Sequence, residues 1–196
     1  MTIELIRHGR TLLTSQHRYE GVTDAPLSSE GAGAICRADY VPDLLCVTRL
    51  IRTRQTAELL FPGVEQTVVP GLEEMNFGAF EELNYLELEH DRQYREWIDG
   101  MCEGRCPGGE SRAEFCRRVN EAFAELVTSS LKRNIGSVAI VAHGGTIMSL
   151  MERYCTRRCG YFDWHTDCGR GFLLSLCGAG QSIALELLAE TDHTVN

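Results

Sequence analysis

Lysine is nearly absent from this chain: of 19 basic residues only Lys132 is a lysine, and the rest are arginines. Lys132 follows Leu131 rather than a glycine-rich loop, so there is no Walker-type nucleotide cradle, and Schiff-base chemistry has no other residue to rest on. Positive charge is also outnumbered, with 28 Asp and Glu giving a formal net charge of −9. That balance argues against nucleic acid or an anionic membrane as a partner. No apolar run is long enough to span a bilayer, and the opening Met1-Thr2-Ile3-Glu4-Leu5-Ile6 has no basic targeting region. Metal-ligand spacing is missing too. Cys102 and Cys106, like Cys155 and Cys159, are separated by three residues rather than two, no histidine pair follows, and no His-Glu-x-x-His occurs. Cysteine itself is plentiful, nine in all, but the number is odd and the residues are scattered. They read as small buried hydrophobes in a reducing compartment, which predicts a cytoplasmic protein with no metal.

The 196 residues, 43% apolar and 24% charged, suit one globular domain spanning 1–196. At that size roughly 70% of the unfolded chain's surface is buried on folding, so the core needs no staple. Alternation over 2–7 predicts a strand running into His8-Gly9. A helix is expected over 28–38 after the Asp24-Ala25-Pro26 turn, a strand over 44–48, a helix over 52–60 and a strand over 67–69. The polar stretch 81–98 reads as one exposed helix. Ser111-Arg112-Ala113-Glu114 is a capping box opening a helix whose apolar face carries Phe115, Val119, Ala122, Phe123 and Leu126. The continuous apolar run 138–142 predicts a buried strand, a helix follows to about Tyr154, and closing strands are expected over 172–176 and 183–188. Strands alternating with helices imply an α/β fold, helices sandwiching a mostly parallel sheet.

Such sheets bind ligands beyond the carboxyl ends of their strands. Three predicted strand ends carry residues suited to an anion: Arg7-His8-Gly9, the segment 48–52 ending in Arg52, and His143-Gly144-Gly145. Glycine after each histidine allows a sharp turn that brings backbone N–H groups close to an oxyanion, and arginine offers a planar fork matched to phosphate oxygens. Two histidines paired with two arginines at strand ends are not the pattern of core filling.

These residues carry a resemblance. Leu5-Ile6-Arg7-His8-Gly9 with Thr11 resembles the Arg-His-Gly motif opening the histidine phosphatase superfamily, which includes the cofactor-dependent phosphoglycerate mutases. Pro26-Leu27-Ser28 with Gly31, the segment 48–57, Leu72-Glu73-Glu74 with Phe77-Gly78, Pro107-Gly108-Gly109-Glu110-Ser111 and Val141-Ala142-His143-Gly144-Gly145 resemble the family's further motifs in order, covering about 3–150. The resemblance implies a phosphoglycerate mutase-like three-layer α/β/α sandwich. It also implies catalytic roles for His8 as the nucleophile that becomes phosphohistidine and Glu74 as proton donor, with Arg7, Arg52 and His143 on the phosphoryl group. Thr14, Gly21 and Gly144 join Arg7, Arg52 and His143 as expected substrate-binding residues. No cofactor is implied, and the expected partner is a small phosphorylated substrate. Arg10 stands where the family usually has glutamate, Thr14 where asparagine is common, and Thr48 replaces a frequent serine.

Phosphoryl transfer needs an in-line nucleophile, donors on the equatorial oxygens and a proton for the leaving oxygen, and these residue types can supply all three. His8 must be neutral to attack, so one ring nitrogen is expected to donate to a backbone carbonyl. The compact chain resembles the family's broad-specificity and α-ribazole-phosphate phosphatases. Mutase activity is the alternative, and a phosphoester-binding module without turnover is a minor one. Substrate is expected to enter over the 81–97 region, where Tyr85, Tyr94 and Trp97 could meet a ring or sugar. The rival nucleophile is a cysteine in a Cys-x5-Arg arrangement. Cys46 with Arg52 and Cys106 with Arg112 both have that spacing. Glu110 would place negative charge in the second cradle and oppose a thiolate there. Nothing in the sequence bears on oligomeric state.

Overall fold

The apolar run at 138–142 is buried on both sides of a sheet in the computed structural model, which describes residues 1–178 and 182–195. The chain runs β1 (Thr2–Arg7), α1 (Leu12–Ser15), α2 (Ser29–Gly33), β2 (Leu44–Val47), α3 (Ile51–Leu60), β3 (Gln66–Val68), α4 (Tyr85–Leu88) and α5 (Arg92–Asp99). It continues through α6 (Arg112–Lys132), β4 (Ser137–Ala142), α7 (Gly144–Tyr154), β5 (Arg170–Leu176) and β6 (Leu185–Asp192), with single 3-10 turns at Gly78–Phe80 and Tyr161–Trp164. The sheet order is β3-β2-β4-β1-β5-β6. The first four strands in that order pair in parallel. β5 joins β1, and β6 joins β5, in antiparallel fashion. The α/β sandwich around a mostly parallel sheet is therefore the observed architecture.

Side-chain alternation divides the core into two layers. Ile3, Leu5, Ile140 and Ala142 face α6 and α7, meeting Phe115, Phe123, Ile147 and Leu150. Ile6, Val47, Ala139 and Val141 face α3, meeting Ala57 and Leu60. Strands covered on both sides read as unbroken apolar runs, which is why β4 is visible in the sequence. The Ser111 capping box forms as its spacing predicts, with Ser111 N donating to Glu114 Oε2 at 3.0 Å.

Two expected helices are shorter. The 28–38 helix ends at Gly33, and Ala34 and Cys36 instead bond the C-terminal segment: Cys36 N donates to His193 O at 2.8 Å and Val195 N to Ala34 O at 2.9 Å. Gly31 and Gly33 lower helix propensity, so long-range pairing prevails. The 81–98 helix is two pieces, because Asn84 caps α4 and Asp91 caps α5, with Glu82 in the left-handed region before them. Side chains that bond nearby backbone favour helix starts over helix interiors.

Glu4 is a buried carboxylate on the α3 side of β1. His193 Nε2 donates to its Oε1 at 2.8 Å and Tyr40 donates to its Oε2. Burial alone would push its carboxyl upward, but the hydrogen bonds from His193 and Tyr40 outweigh that and hold it below the usual carboxylate range. A lowered folded pKa stabilises above the unfolded value, and that contribution disappears as pH falls through the folded value. Glu4→Gln is expected to lose about 1–3 kcal/mol of stability at pH 7, the cost of disrupting a buried charged hydrogen-bond cluster. The gap from wild type in denaturant unfolding should narrow steadily below about pH 4.5, near the ordinary glutamate value. An unchanged gap at low pH contradicts this account.

Candidate active site

Because β2, β4 and β1 are neighbours running in one direction, their carboxyl ends set Thr48, His143 and His8 side by side. His8 N donates to Ala142 O at 3.0 Å, tying the two histidine-bearing ends together. The imidazole centroids are 5.2 Å apart at an interplanar angle of 62°. His8 Nδ1 lies 2.7 Å from the carbonyl oxygen of Gly9. A carbonyl only accepts, so Nδ1 carries the hydrogen and Nε2 keeps its lone pair. His143 Nε2 is 3.0 Å from Thr48 Oγ1, and its buried Nδ1 has no partner among the described residues.

Arg52 is fully buried beneath these rings. Nη1 donates to Thr23 O at 2.7 Å, and Nη2 donates to Gly21 O at 2.9 Å and Glu20 O at 3.1 Å. Arg7 Nη1 donates to Thr166 O at 2.6 Å. The Nε of each arginine is buried without a partner among the described residues, a donor capacity that suits an anion's oxygens. Burial first, and then the positive charges of Arg52 and Arg7, push both imidazoles well below the usual histidine range, so both are neutral in the free site.

Glu74 reaches this chamber from the loop after β3. Met75 N donates to its Oε1 at 2.9 Å and Gly145 N to its Oε2 at 2.8 Å. Burial raises its pKa against those two amides and the two arginines. Its neighbour Glu73 turns away and accepts from Gly71 N at 2.8 Å. Arg118 clamps the loop from behind: Nη1 donates to Gly71 O at 2.9 Å, Nη2 donates to Glu74 O at 3.2 Å, and the guanidinium pairs with Glu110 at 2.8 Å.

Gly144 is the first residue of α7, where helical amides lack intrahelical acceptors, and a Cβ there would touch the Arg7 guanidinium at 3.5 Å. Gly21 donates its N–H to Glu81 at 3.0 Å, and a Cβ on it would come within 1.9 Å of Met75 O. Thr14 uses its hydroxyl to cap α1, accepting from Thr11 N at 2.8 Å. Neither Gly21 N nor the Thr14 hydroxyl is free in this state. Sequence reasoning did not single out Arg118, Glu20, Glu81 or Tyr161. Arg118 could have been found from its place two helical turns beyond the capping box, on the α6 face toward Glu110.

Above Glu74 opens a cavity of about 270 Å³, walled by Tyr19, Phe77, Trp97, Met148, Tyr161 and Phe162. Of the three aromatic residues expected to meet substrate, only Trp97 lines it. Tyr85 is 56% exposed, and Tyr94 is buried in the core with its hydroxyl 3.0 Å from that of Tyr19. Arg112 also lines the cavity, with its guanidinium 5.2 Å from the Tyr161 centroid, paired with Glu103 at 2.5 Å and donating to Met101 O at 3.2 Å. Burial pushes the thiols of Cys46 and Cys106 up to about 12, the opposite of what a nucleophilic cysteine needs. Among the described residues no cluster of histidine, cysteine or carboxylate is arranged to hold a metal, and no helix is long and apolar enough to cross a membrane.

Known proteins are similar to this chain. Residues 3–169 match the model of the histidine phosphatase superfamily (branch 1). A probable phosphoglycerate mutase of Citrobacter koseri is 31% identical over 158 residues, covering 74% of this chain and 70% of that one. The solved alpha-ribazole phosphatase from Shigella flexneri shares 25% identity over 96% of each chain, with a TM-score of 0.82. The solved phosphoglycerate mutase from Thermus thermophilus shares 27% identity over 97% of this chain and 98% of that one, with a TM-score of 0.70.

The tight approach of α7 to Glu74 yields a test. A Cβ on Gly145 would fall 2.3 Å from Glu74 Oε1, so Gly145→Ala must displace the carboxyl. We expect turnover of small phosphate esters to fall about 100-fold, the scale of loss when a reacting group is misplaced by an ångström. Calorimetric melting should confirm that the variant is folded. Wild-type turnover in folded Gly145→Ala would remove Glu74 from the chemistry.

Proposed function

The chain belongs to the histidine phosphatase superfamily, and from that premise we propose that it is a metal-independent phosphomonoesterase working through a phosphohistidine on His8. The observation that carries this reading is the Nδ1 bond of His8 to Gly9 O, which leaves Nε2 unprotonated beside the buried Arg52 and the half-buried Arg7. Nε2 attacks phosphorus in line, the P–O bond to the alcohol breaks, and Glu74 gives its proton to the departing oxygen. Arg7, Arg52 and His143 hold the equatorial oxygens, with the α7 amide of Gly144 beside them. Water then attacks the phosphohistidine, giving its proton to Glu74 and returning free His8 and phosphate. Glu74 starts as the acid because burial raises its pKa, and a bound dianion reinforces that direction.

The cavity above Glu74 supports an uncharged, flat leaving group. Its walls are aromatic, and the Arg112 charge is already paired with Glu103 and stacked on Tyr161. An α-ribazole-5'-phosphate-like ester suits such walls, and a similar solved structure carries the name alpha-ribazole phosphatase. Mutase activity is the second reading, favoured by the names of the Citrobacter koseri and Thermus thermophilus proteins. It requires a cation for the glycerate carboxylate, and the cavity's other cation, Arg7, lies at the phosphoryl end. The cysteines, all free among the described residues, suit a cytoplasmic setting.

The test is phosphate release from a panel of esters with chelator present. Wild type and Cys106→Ser should hydrolyse aryl and nucleoside-type esters faster than 3-phosphoglycerate, and His8→Ala should be inactive. Glu74→Gln should lose about 100-fold or more in turnover of alkyl esters, whereas its first-turnover release of 4-nitrophenolate, a leaving group that needs no proton, should fall far less. Exchange of phosphate between phosphoglycerates without release would establish the mutase reading instead. Turnover surviving His8→Ala would overturn the mechanism.

A further inference from the structure

Glu20 is a buried carboxylate at the phosphoryl chamber that the chemistry above does not use. It is 7% exposed. Thr11 Oγ1 donates to its Oε2 at 2.6 Å. Its other oxygen, Oε1, is buried, lies 3.4 Å from Arg52 Nη1, and has no hydrogen-bond partner among the described residues. Holding Arg52 in place does not require the side chain, since the main-chain carbonyls of Glu20, Gly21 and Thr23 already accept from that guanidinium. An acidic group beside the cation that is to hold phosphate is unexpected in an anion cradle, because it competes for the same charge.

The groups facing Glu20 define its electrostatics. Arg52 comes from α3, Arg7 from the end of β1, the Thr11 hydroxyl from the start of α1, and Glu81 from just beyond the 3-10 turn. Glu81 is held by the amides of Gly21, Val22 and Phe77, so it stays close as a second negative charge. With His8 and His143 neutral, ionised Glu20 offsets one of the two arginine charges available to a dianion. In a chamber of low dielectric, repulsion between that carboxylate and phosphoryl oxygens is large. Protonation removes the repulsion and gives Oε1 a hydrogen to donate to an anion oxygen held by Arg52.

Taking the chamber as a phosphoryl cradle, as argued above, we propose that Glu20 is a positioning residue that makes anion binding proton-linked: a dianion enters together with one proton, which is taken up at Glu20 Oε1. Burial, helped by Glu81, already holds the free carboxyl above the usual range in spite of Arg52 and Thr11. Linkage is reciprocal, so the factor by which the proton tightens anion binding is the factor by which the anion tightens proton binding. Release of product phosphate is then eased by ionisation of Glu20.

Sulfate is the probe, because it stays dianionic across the pH range and cannot itself supply the proton. Calorimetric titration at pH 5–8.5, in buffers of different ionisation enthalpy, gives both affinity and proton uptake for wild type, Glu20→Gln and Glu74→Gln. Wild type should take up close to one proton, and its affinity should fall by up to about tenfold per pH unit above the Glu20 transition. Glu20→Gln should lose that uptake and bind sulfate about tenfold more tightly at pH 8, the equivalent of one pKa unit. Glu74→Gln should keep most of the uptake. The proposal is overturned if wild type takes up no proton, if Glu20→Gln behaves as wild type, or if Glu74→Gln abolishes the uptake. Absence of proton uptake by wild type overturns the proposal even if a variant does not fold. Failure of sulfate to bind at all overturns both the linkage and the cradle. Proton uptake at Glu20 in a protein whose turnover survives His8→Ala supports the linkage while rejecting the phosphohistidine.

Discussion

A guanidinium with no solvent exposure sets the terms for everything around it. Transferring such a cation from water costs several kcal/mol unless its donors are met and its charge is balanced. Arg52 meets that demand by drawing the segment 20–23 around itself through three carbonyls. The freed amides of that segment then need acceptors, and the Glu81 carboxylate supplies them to Gly21, Val22 and Thr23. Only glycine fits at position 21, because the loop bearing Met75 closes directly over it. The same buried charge also helps hold His8 and His143 neutral. Loop conformation and imidazole protonation therefore share one cause.

A second constraint comes from topology. Parallel pairing of β1, β4 and β2 fixes the relative positions of His8, His143 and Thr48 through the most deeply buried part of the molecule. Loops supply the other half of the site. The aromatic cavity above Glu74 is walled from the segments around Phe77, Trp97 and Tyr161, and beside it Met101 and Cys102 both adopt left-handed backbone that side chains disfavour. In the proposed mechanism the strand ends hold the anion, and loops shape what is attached to it.

The strand ends are legible because strands buried on both faces leave unbroken apolar runs and because histidine followed by glycine interrupts such a run abruptly. Resemblance separates Glu74 from Glu73, and the geometry gives the difference a physical form: one carboxyl accepts from α7, the other from its own turn. What stays hidden depends on partners distant in sequence. The antiparallel direction of β5 leaves no local mark. Pairing of Ala34 and Cys36 with the C-terminal segment truncates α2, although the local pattern continues as a helix. The Arg118 clamp joins residues 44 or more positions apart, and Glu20 looks like any loop glutamate until Arg52 is packed beside it. The 81–98 stretch misleads for a local reason, since Asn84 and Asp91 each restart a helix there.

The mechanism stands on Nε2 of His8 as the atom that receives the phosphoryl group. Rapid quenching of the enzyme under turnover with a 32P-labelled ester, followed by peptide mapping, tests that atom directly. The expected product is an acid-labile, base-stable adduct on the Nε2 nitrogen of His8, formed and lost at rates that match turnover. An adduct on Nδ1, on a cysteine sulfur or on no residue at all during active turnover would contradict it.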